Sequence, residues 1–156
     1  MIKKLTAIEL AYVAGFLDGD GSIFAQIIPR KDYIHGFTIR TTVSFHQKHR
    51  RRWFIFNLKR KLGLGHYRKD RGDGIAELAI TGFGSVKELL RSLYPHLRLK
   101  RRIAKEILRI IEDYEKKPNR DGFFDLCDRV DLAAKLADGK KRKITASVVR
   151  THWKSP

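Results

Sequence analysis

The sequence predicts an α+β domain in which helices cover one face of a four-stranded antiparallel sheet, followed by further C-terminal helices. Two observations carry this prediction. Segments with apolar residues at helical spacing alternate with two hairpins, in the order helix, hairpin, helix, hairpin, helix. The length of 156 residues suits one domain. We therefore expect a single domain over residues 1–156, with a core over about 6–115 and a helical extension over about 121–152.

The first helix begins at a capping box formed by Thr6 and Glu9. Gly15 lies inside this helix, where glycine costs about 1 kcal/mol relative to alanine. Close approach of a second backbone is one way to recover that cost. The run Asp18-Gly19-Asp20-Gly21 is expected to stop the helix, because its glycines permit a turn and its acids cannot extend an apolar face.

The first hairpin is predicted from strict alternation on both sides of a loop over residues 29–36. The inward positions are apolar: Ile23, Ala25, Ile27, Phe37, Ile39, Val43 and Phe45. A helix from Arg50 to Leu62 follows and is closed by Gly63. The second hairpin turns at residues 71–74 and repeats this layout.

Four helices are expected after the second hairpin. Ser85 and Glu88 form a possible capping box for a short helix ending before Pro95. Apolar periodicity predicts a longer helix after Leu99 and another over residues 121–136. Thr145 can cap a last short helix that ends near residue 152.

The charge balance points to a polyanionic partner. There are 34 Lys and Arg residues against 17 Asp and Glu, a formal charge of +17. Ribosomal and membrane-surface proteins share such a charge, so it does not identify an activity. The single cysteine excludes a disulfide framework and a zinc knuckle, and no segment has the composition of a membrane span. We expect an intracellular protein, in a prokaryotic or archaeal cytoplasm or in an organelle.

The second face of the sheet carries polar side chains. These outward positions are Gln26, Arg30, Thr38, Arg40, Thr42, Ser44, His46, His66, Arg68 and Glu77. Any antiparallel sheet can leave one face in water, so alternation alone does not distinguish a solvated face from a binding face. The basic clusters around the strands favour binding.

The segment Val13-Ala14-Gly15-Phe16-Leu17-Asp18-Gly19-Asp20-Gly21 resembles the signature of the LAGLIDADG homing endonucleases. The resemblance continues in His46-Gln47-Lys48, in Arg51-Arg52-Trp53-Phe54 and in Pro95 with the basic Leu97-Arg98-Leu99-Lys100. It extends from about Ala7 to Val149 and points to the single-motif, homodimeric branch of the family. It implies an αββαββα core with a four-stranded, DNA-binding sheet.

The resemblance also implies how the motif helix works. The helix packs against its twofold mate along Ala11, Ala14, Gly15 and Asp18. Each subunit then delivers Asp20, with the Gly19 carbonyl, to a Mg²⁺ ion for which Mn²⁺ can substitute. In an isolated stretch the same acids would be a solvated helix cap and the small residues ordinary core.

Three further residues match catalytic positions of the family. Gln47 matches a residue that orients water near the metal, and Arg51 matches a basic residue of the same solvent network. Arg98 stands where relatives usually have lysine, so a role that needs an amine is in doubt and Lys100 is a possible substitute. In so basic a chain, phosphate contact or simple solvation is the alternative for these cations.

The expected function is that of a site-specific, metal-dependent endonuclease acting on double-stranded DNA at a long pseudopalindromic site. An RNA-splicing maturase or a non-cleaving regulator of the same fold is the alternative, and RNA packaging explains the charge but not the motif. The candidate DNA-binding residues are Phe24, Gln26, Ile28, Arg30, Tyr33, Thr38, Arg40, Thr42, Ser44, His46, Lys48, His66, Arg68, Asp70, Ile75, Glu77, Lys140 and Lys143.

Overall fold

Six helices and four strands follow one another in the predicted order in the computed structural model, which describes residues 2, 4–137 and 142–154. They are α1 (Ala7–Asp20), β1 (Gly21–Pro29), β2 (Phe37–Lys48), α2 (Arg52–Leu62), β3 (His66–Arg68), β4 (Ile75–Thr81), α3 (Phe83–Leu93), α4 (Arg101–Glu115), α5 (Arg120–Leu136) and α6 (Ala146–Lys154). The predicted α+β class and the αββαββα core are confirmed.

The sheet has the strand order β1-β2-β4-β3, and every neighbouring pair is antiparallel. The central strand β2 therefore has a partner on each side, β1 and β4. Its inward side chains are buried as predicted, among them Val43 and Phe45. Helices cover this face, so functional side chains have to come from the ends of the strands or from the opposite face.

Helix α1 begins at the predicted capping box, since Glu9 N–H donates to the Thr6 hydroxyl and Thr6 N–H donates to the Glu9 carboxylate. The helix ends later than expected, because its last turn includes residues 18–20. Gly21 then enters β1 without a bend to positive φ. A Cβ at Gly21 would lie 2.9 Å from the Leu17 carbonyl oxygen, so close packing on the last turn requires glycine here.

The predicted capping box at Ser85 is wrong. Helix α3 begins at Phe83, directly after β4, and its N-cap is Gly82 at φ 92° with no side-chain cap. Ser85 therefore already lies inside the first turn, where its hydroxyl cannot act as the cap. The Glu88 carboxylate instead accepts a hydrogen bond from the Ile2 backbone N–H. Gly63 does close α2 as predicted, in the left-handed conformation at φ 67°.

The C-terminal helices extend the core. Buried side chains of α5, including Phe123, Leu126 and Val130, join the same apolar cluster as the sheet. Helix α6 begins directly after Thr145, as predicted, and packs on α5. No helix in the described part of the chain is both long and apolar enough to cross a membrane.

Candidate functional site

Asp20 is the last residue of α1 and is exposed, as is Gly19 before it. The last carbonyl groups of a helix have no helical donor, and the C-terminal end of a helix carries partial negative charge. A carboxylate and unsatisfied carbonyl oxygens therefore share this end of α1. These are hard oxygen ligands of the kind that Mg²⁺ prefers. The donor set fits the predicted metal at Asp20 and Gly19.

One chain offers too few side chains to enclose that metal. Among the described residues, no group of three His, Cys, Asp or Glu side chains is placed to hold a metal ion. Mg²⁺ usually takes about six oxygens, with one or two carboxylates among them. The Asp20 carboxylate and the Gly19 carbonyl oxygen would therefore form part of such a shell, with water and phosphate oxygens among the other ligands.

Asp18 organises the segment that follows α3. Its carboxylate accepts hydrogen bonds from the backbone N–H groups of Arg98, at 2.8 Å, and Lys100, at 2.9 Å. The Lys100 ammonium group donates to the Asp18 carbonyl oxygen at 2.6 Å. Both carboxylate oxygens are thus engaged within the chain, and the predicted dimer contact of Asp18 stays a prediction. Nothing in the sequence signalled the contact between Asp18 and Arg98, which lie about 80 positions apart.

Gln47 and Arg51 lie at the same end of the sheet as Asp20, because Gly21 pairs with Phe45 and β2 continues beyond that pair. The Gln47 side-chain carbonyl accepts from Arg51 Nε at 2.7 Å and from the Lys48 N–H at 3.1 Å. The two predicted residues are therefore in contact. With its carbonyl occupied, the amide nitrogen of Gln47 remains available as a donor.

The open face of the sheet carries long polar side chains as predicted. Gln26 and Arg40 are cross-strand partners and both are exposed. Further along, Glu77 lies 3.4 Å from His46 and 3.6 Å from Arg68, which forms a row of polar contacts across β2, β4 and β3. Sequence analysis predicted these residues but not their pairing. The other candidates on this face are partly or fully exposed: Phe24, Ile28, Lys48, His66 and Ile75.

Thr42 and Ser44 contradict the predicted exposure, since they are only 2% and 1% exposed. Both are short side chains on the central strand, where neighbours on two sides shield them. Phe24 and Thr81 flank Thr42 in the register. Thr38 also has a partner within the chain, because its hydroxyl lies 3.0 Å from the Tyr114 hydroxyl. The exposed polar side chains on the open face of the sheet therefore form two groups, which the buried Thr42 and Ser44 separate.

Asp70 and Lys143 are candidates that lie outside the strands. Asp70 follows β3, and its carboxylate accepts from the N–H groups of Gly72 and Gly74 at 2.9 Å, so it shapes the hairpin loop. These backbone hydrogen bonds lower the pKa of Asp70. Lys143 is exposed before α6, whereas Lys140 lies outside the described residues.

Arg30 and Tyr33 are exposed at the tip of the first hairpin. The Arg30 guanidinium lies 4.9 Å from the Tyr33 ring centroid and forms an ion pair of 2.9 Å with Asp32. The hydrogen bonds from Arg30 lower the pKa of the Asp32 carboxyl.

The outer surface of α1 includes two of the predicted contact residues. Ala11 and Gly15 are exposed, but Ala14 is fully buried with Val13 and Leu17, so its predicted place in a dimer contact is wrong. The helical period turns Ala14 into the core of its own chain. Sequence analysis missed Ile8 and Tyr12, which are 83% and 64% exposed on the same surface.

Comparison with known proteins identifies the family. The LAGLIDADG endonuclease family matches residues 13–112. The chain is 39% identical to DNA endonuclease I-CreI of Chlamydomonas reinhardtii over 90% of this chain and 86% of that protein. It is 36% identical to DNA endonuclease I-CvuI of Chlorella vulgaris over 92% and 88% of the two chains.

Solved structures agree with this assignment. Two structures of I-CvuI superpose on this chain with a TM-score of 0.86, at 35% identity over 92% of this chain and 91% of that one. One is the complex with its own target and Ca²⁺. The other is the complex with the I-CreI target and Mg²⁺, in which the DNA is not cleaved. The archaeal intron-encoded I-Vdi141I, solved with DNA, shares the fold with a TM-score of 0.79 at 19% identity, over 92% and 93% of the two chains. The chain therefore belongs to the LAGLIDADG endonuclease family and is a homing endonuclease, a nuclease acting on DNA phosphodiester bonds.

Proposed function

We propose that two copies of the chain cleave a long pseudopalindromic site in genomic DNA within the cell, with Mg²⁺ bound at Asp20 of each copy. One observation carries the proposal: the exposed carboxylate of Asp20 and the strand of the open polar face are consecutive in the chain, because α1 runs directly into β1. A duplex on that face would place its backbone beside Asp20.

The dimensions of the sheet fit a duplex. β1 has nine residues and spans about 30 Å at about 3.3 Å per residue, close to one turn of DNA. A two-stranded ribbon fits the major groove, and two copies would cover on the order of 20 base pairs. Exposed Arg40, Arg68 and Gln26 on this face have the donor geometry that reads guanine and adenine edges. Lys48 and Lys143 suit phosphate contact.

When bound, Mg²⁺ would supply an activated water and positive charge beside the phosphate oxygens. Side chains of this chain would position the water and stabilise the charge beside the metal. The Gln47 amide nitrogen can hold a water at the strand end, while Arg51 fixes the amide in this orientation through its 2.7 Å hydrogen bond. The Asp18 carboxylate holds the segment that carries Arg98 and Lys100, and the Lys100 ammonium group contacts the Asp18 carbonyl oxygen in the last turn of α1, the turn that contains Asp20. We assign Gln47 and Arg51 to water positioning and Arg98 and Lys100 to charge stabilisation.

The second copy is expected on the outer surface of α1. Ile8, Ala11, Tyr12 and Gly15 follow one another at helical spacing on that surface, and all four are exposed. A groove of about 240 Å³ between α1 and α2 continues this apolar surface and is lined in part by Phe54 and Leu58. Large apolar side chains left in water are typical of an interface. Pairing α1 with its mate would place two Asp20 carboxylates together, which supplies the ligands that one chain lacks.

The proposal is tested with the full chain and a randomised library of long duplexes. We expect Mg²⁺ to support cleavage of a subset of the library and chelator to stop it, with Mn²⁺ restoring activity. The recovered sequences should have twofold symmetry. Cleavage that continues in chelator would contradict the metal mechanism. Tight binding without cleavage at any Mg²⁺ concentration would favour the maturase or regulator alternative.

A further inference from the structure

The tip of the first hairpin, defined here as Arg30–Gly36, is held by the C-terminal end of the same chain. The Trp153 indole N–H of α6 donates to the His35 carbonyl oxygen at 2.9 Å, across 118 positions of sequence. The Arg120 guanidinium of α5 lies 4.2 Å from the Trp153 ring centroid. The indole is thus fixed between α5 and the tip.

Two histidines add contacts on the same side. The His152 ring meets Phe37 edge-on, with centroids 5.2 Å apart, and its Nε2 would lie 3.3 Å from a Cβ at Gly36. Gly36, at φ 71°, therefore suits both the turn and the close approach of α6. The His35 ring stacks on Phe123 with centroids 4.8 Å apart, and its Nε2 lies 3.2 Å from the Pro118 carbonyl oxygen.

Helix α6 is itself firmly attached to α5. Arg150 donates two hydrogen bonds of 2.6 Å to the Asp128 carboxylate. Asp131 accepts from Arg142 at 2.8 Å and from the Ala146 N–H at 3.0 Å. Two independent ion pairs therefore support the helix that carries Trp153.

The other side of the tip is exposed. Its backbone is closed by internal hydrogen bonds, from the Arg30 N–H to the Gly36 carbonyl at 2.8 Å and from the Gly36 N–H to the Tyr33 carbonyl at 2.9 Å. The contacts from α5 and α6 involve the backbone and rings near residues 35–37, and they leave Arg30, Lys31 and Tyr33 exposed. The tip is thus ordered by its own chain while its basic and aromatic side chains remain available to a ligand.

We propose that Trp153 is a positioning residue for sequence reading, which holds the tip in the conformation that contacts the outermost base pairs of each half-site. This inference rests on the proposed function. The tip lies at the far end of β1 from Asp20, about 30 Å away along the strand, so it meets the duplex furthest from the cleavage centre. Ordering a loop residue costs backbone entropy. The contacts of Trp153 with the tip, called the clamp below, move that cost from DNA binding to folding.

The clamp can be tested without DNA. Trp153→Phe keeps a smaller aromatic ring at this position and removes the N–H donor, whereas Trp153→Ala removes the whole contact. Trp53→Phe is the matched control, because Trp53 is 63% exposed on α2. We expect faster amide hydrogen exchange over residues 30–37 in both Trp153 variants and no change in the control. Unchanged exchange in Trp153→Ala would overturn the clamp.

The reading role is tested with the duplex that the wild-type protein selects from a library. Affinity is compared with duplexes altered at the outermost or at the innermost positions of each half-site. We expect Trp153→Ala to lower discrimination at the outermost positions by about 10-fold, within the range of one base-pair mismatch, and to leave the innermost ratio unchanged. Equal loss at both positions, or no loss, would overturn the inference. A wild type that binds no duplex would instead contradict the proposed function.

Discussion

The two ends of β1 differ in how much of their surroundings one chain provides. At the tip end, α5 and α6 supply a hydrogen bond of 2.9 Å to His35, a stacked Phe123 and the His152 ring. At the other end, Asp20 is exposed, and the described residues offer no cluster of three metal-ligating side chains. One strand thus joins an end whose surroundings come from its own chain to an end that we propose is completed by metal, DNA and a second subunit.

This difference separates two tasks. Reading a sequence benefits from groups that are already in place before the duplex arrives, since ordering them later reduces affinity. Cleavage needs charged groups brought together only when the substrate is present, because clustered carboxylates without a cation repel one another. A change at the Asp20 end should therefore reduce catalysis and leave recognition intact, whereas a change at the tip should do the reverse.

The largest effect is expected for Asp20→Asn, which keeps the shape of the side chain and removes its charge. Even residues that only support a metal ligand change activity by about 10 to 100-fold, so loss of the ligand itself should reduce cleavage by more than about 100-fold. DNA affinity should stay within a few-fold of wild type. Cleavage assays are compared with Asp121→Asn, an exposed acid in the first turn of α5. Wild-type cleavage by Asp20→Asn would exclude Asp20 as the ligand.

Gly15→Leu tests whether the Asp20 end depends on a second subunit. Outside the backbone of its own helix, a Cβ at Gly15 would meet no heavy atom of the described residues within 4 Å, so the substitution should leave the fold intact. Against a partner helix it should displace both Asp20 carboxylates, and a shift of about 1 Å can cost roughly 100-fold in rate.

Gly84→Leu is the matched control for that variant, because Gly84 is also an exposed helical glycine with no heavy atom within 4 Å. Sedimentation should show a dimer for wild type and for Gly84→Leu and weakened association for Gly15→Leu. A wild-type monomer that cleaves both strands without associating on DNA would contradict the shared site.

The sequence was most informative where the physical cause is local, although a local capping pattern at Ser85 misplaced the start of α3. The capping box of α1 and the alternation of the two hairpins depend on residues a few positions apart, and both were predicted. Burial of Thr42 and Ser44 depends on strands that flank them in the sheet, which alternation along one strand does not reveal. The contact of Asp18 with Arg98 and that of Trp153 with His35 join distant segments and have no periodic signal. Ala14, by contrast, could have been placed inside from its helical spacing to Leu17.

Asp18→Asn should have a smaller effect than the first two variants and should also act at the Asp20 end. The amide can accept only one of the two backbone hydrogen bonds that the carboxylate receives from Arg98 and Lys100. Loss of a hydrogen bond to a charged group costs about 1.5–3 kcal/mol. We expect lower thermal stability and reduced cleavage with the dimer retained. A variant that dissociates into monomers would place Asp18 at the subunit interface.

The smallest expected effect is a pH dependence of the docking of α6, the helix that carries Trp153 and holds the tip. The hydrogen bonds from Arg150 lower the pKa of Asp128 below its usual 3.8, so the ionised carboxylate stabilises the docking of α6. This contribution is fully present above pH 3.8 and is lost as the pH falls through the lowered pKa. It should be below about 1 kcal/mol, because the Asp128 side chain is 46% exposed and screened by solvent.

Trp153 fluorescence can report this docking in a Trp53→Phe background, since the chain has two tryptophans. We expect the emission to shift towards that of exposed indole as the pH falls below 3.8, the usual pKa of the Asp128 carboxyl. Asp128→Asn should show part of that shift already at neutral pH and a weaker dependence on acid, whereas Asp121→Asn, an exposed acid in the first turn of the same helix, should behave as the background protein does. Identical acid profiles in Asp128→Asn and the background would assign the transition to other carboxylates. The Arg150 ion pair would then contribute nothing measurable to holding the tip, which would leave its order to the Trp153 hydrogen bond and the ring contacts of His35 and His152.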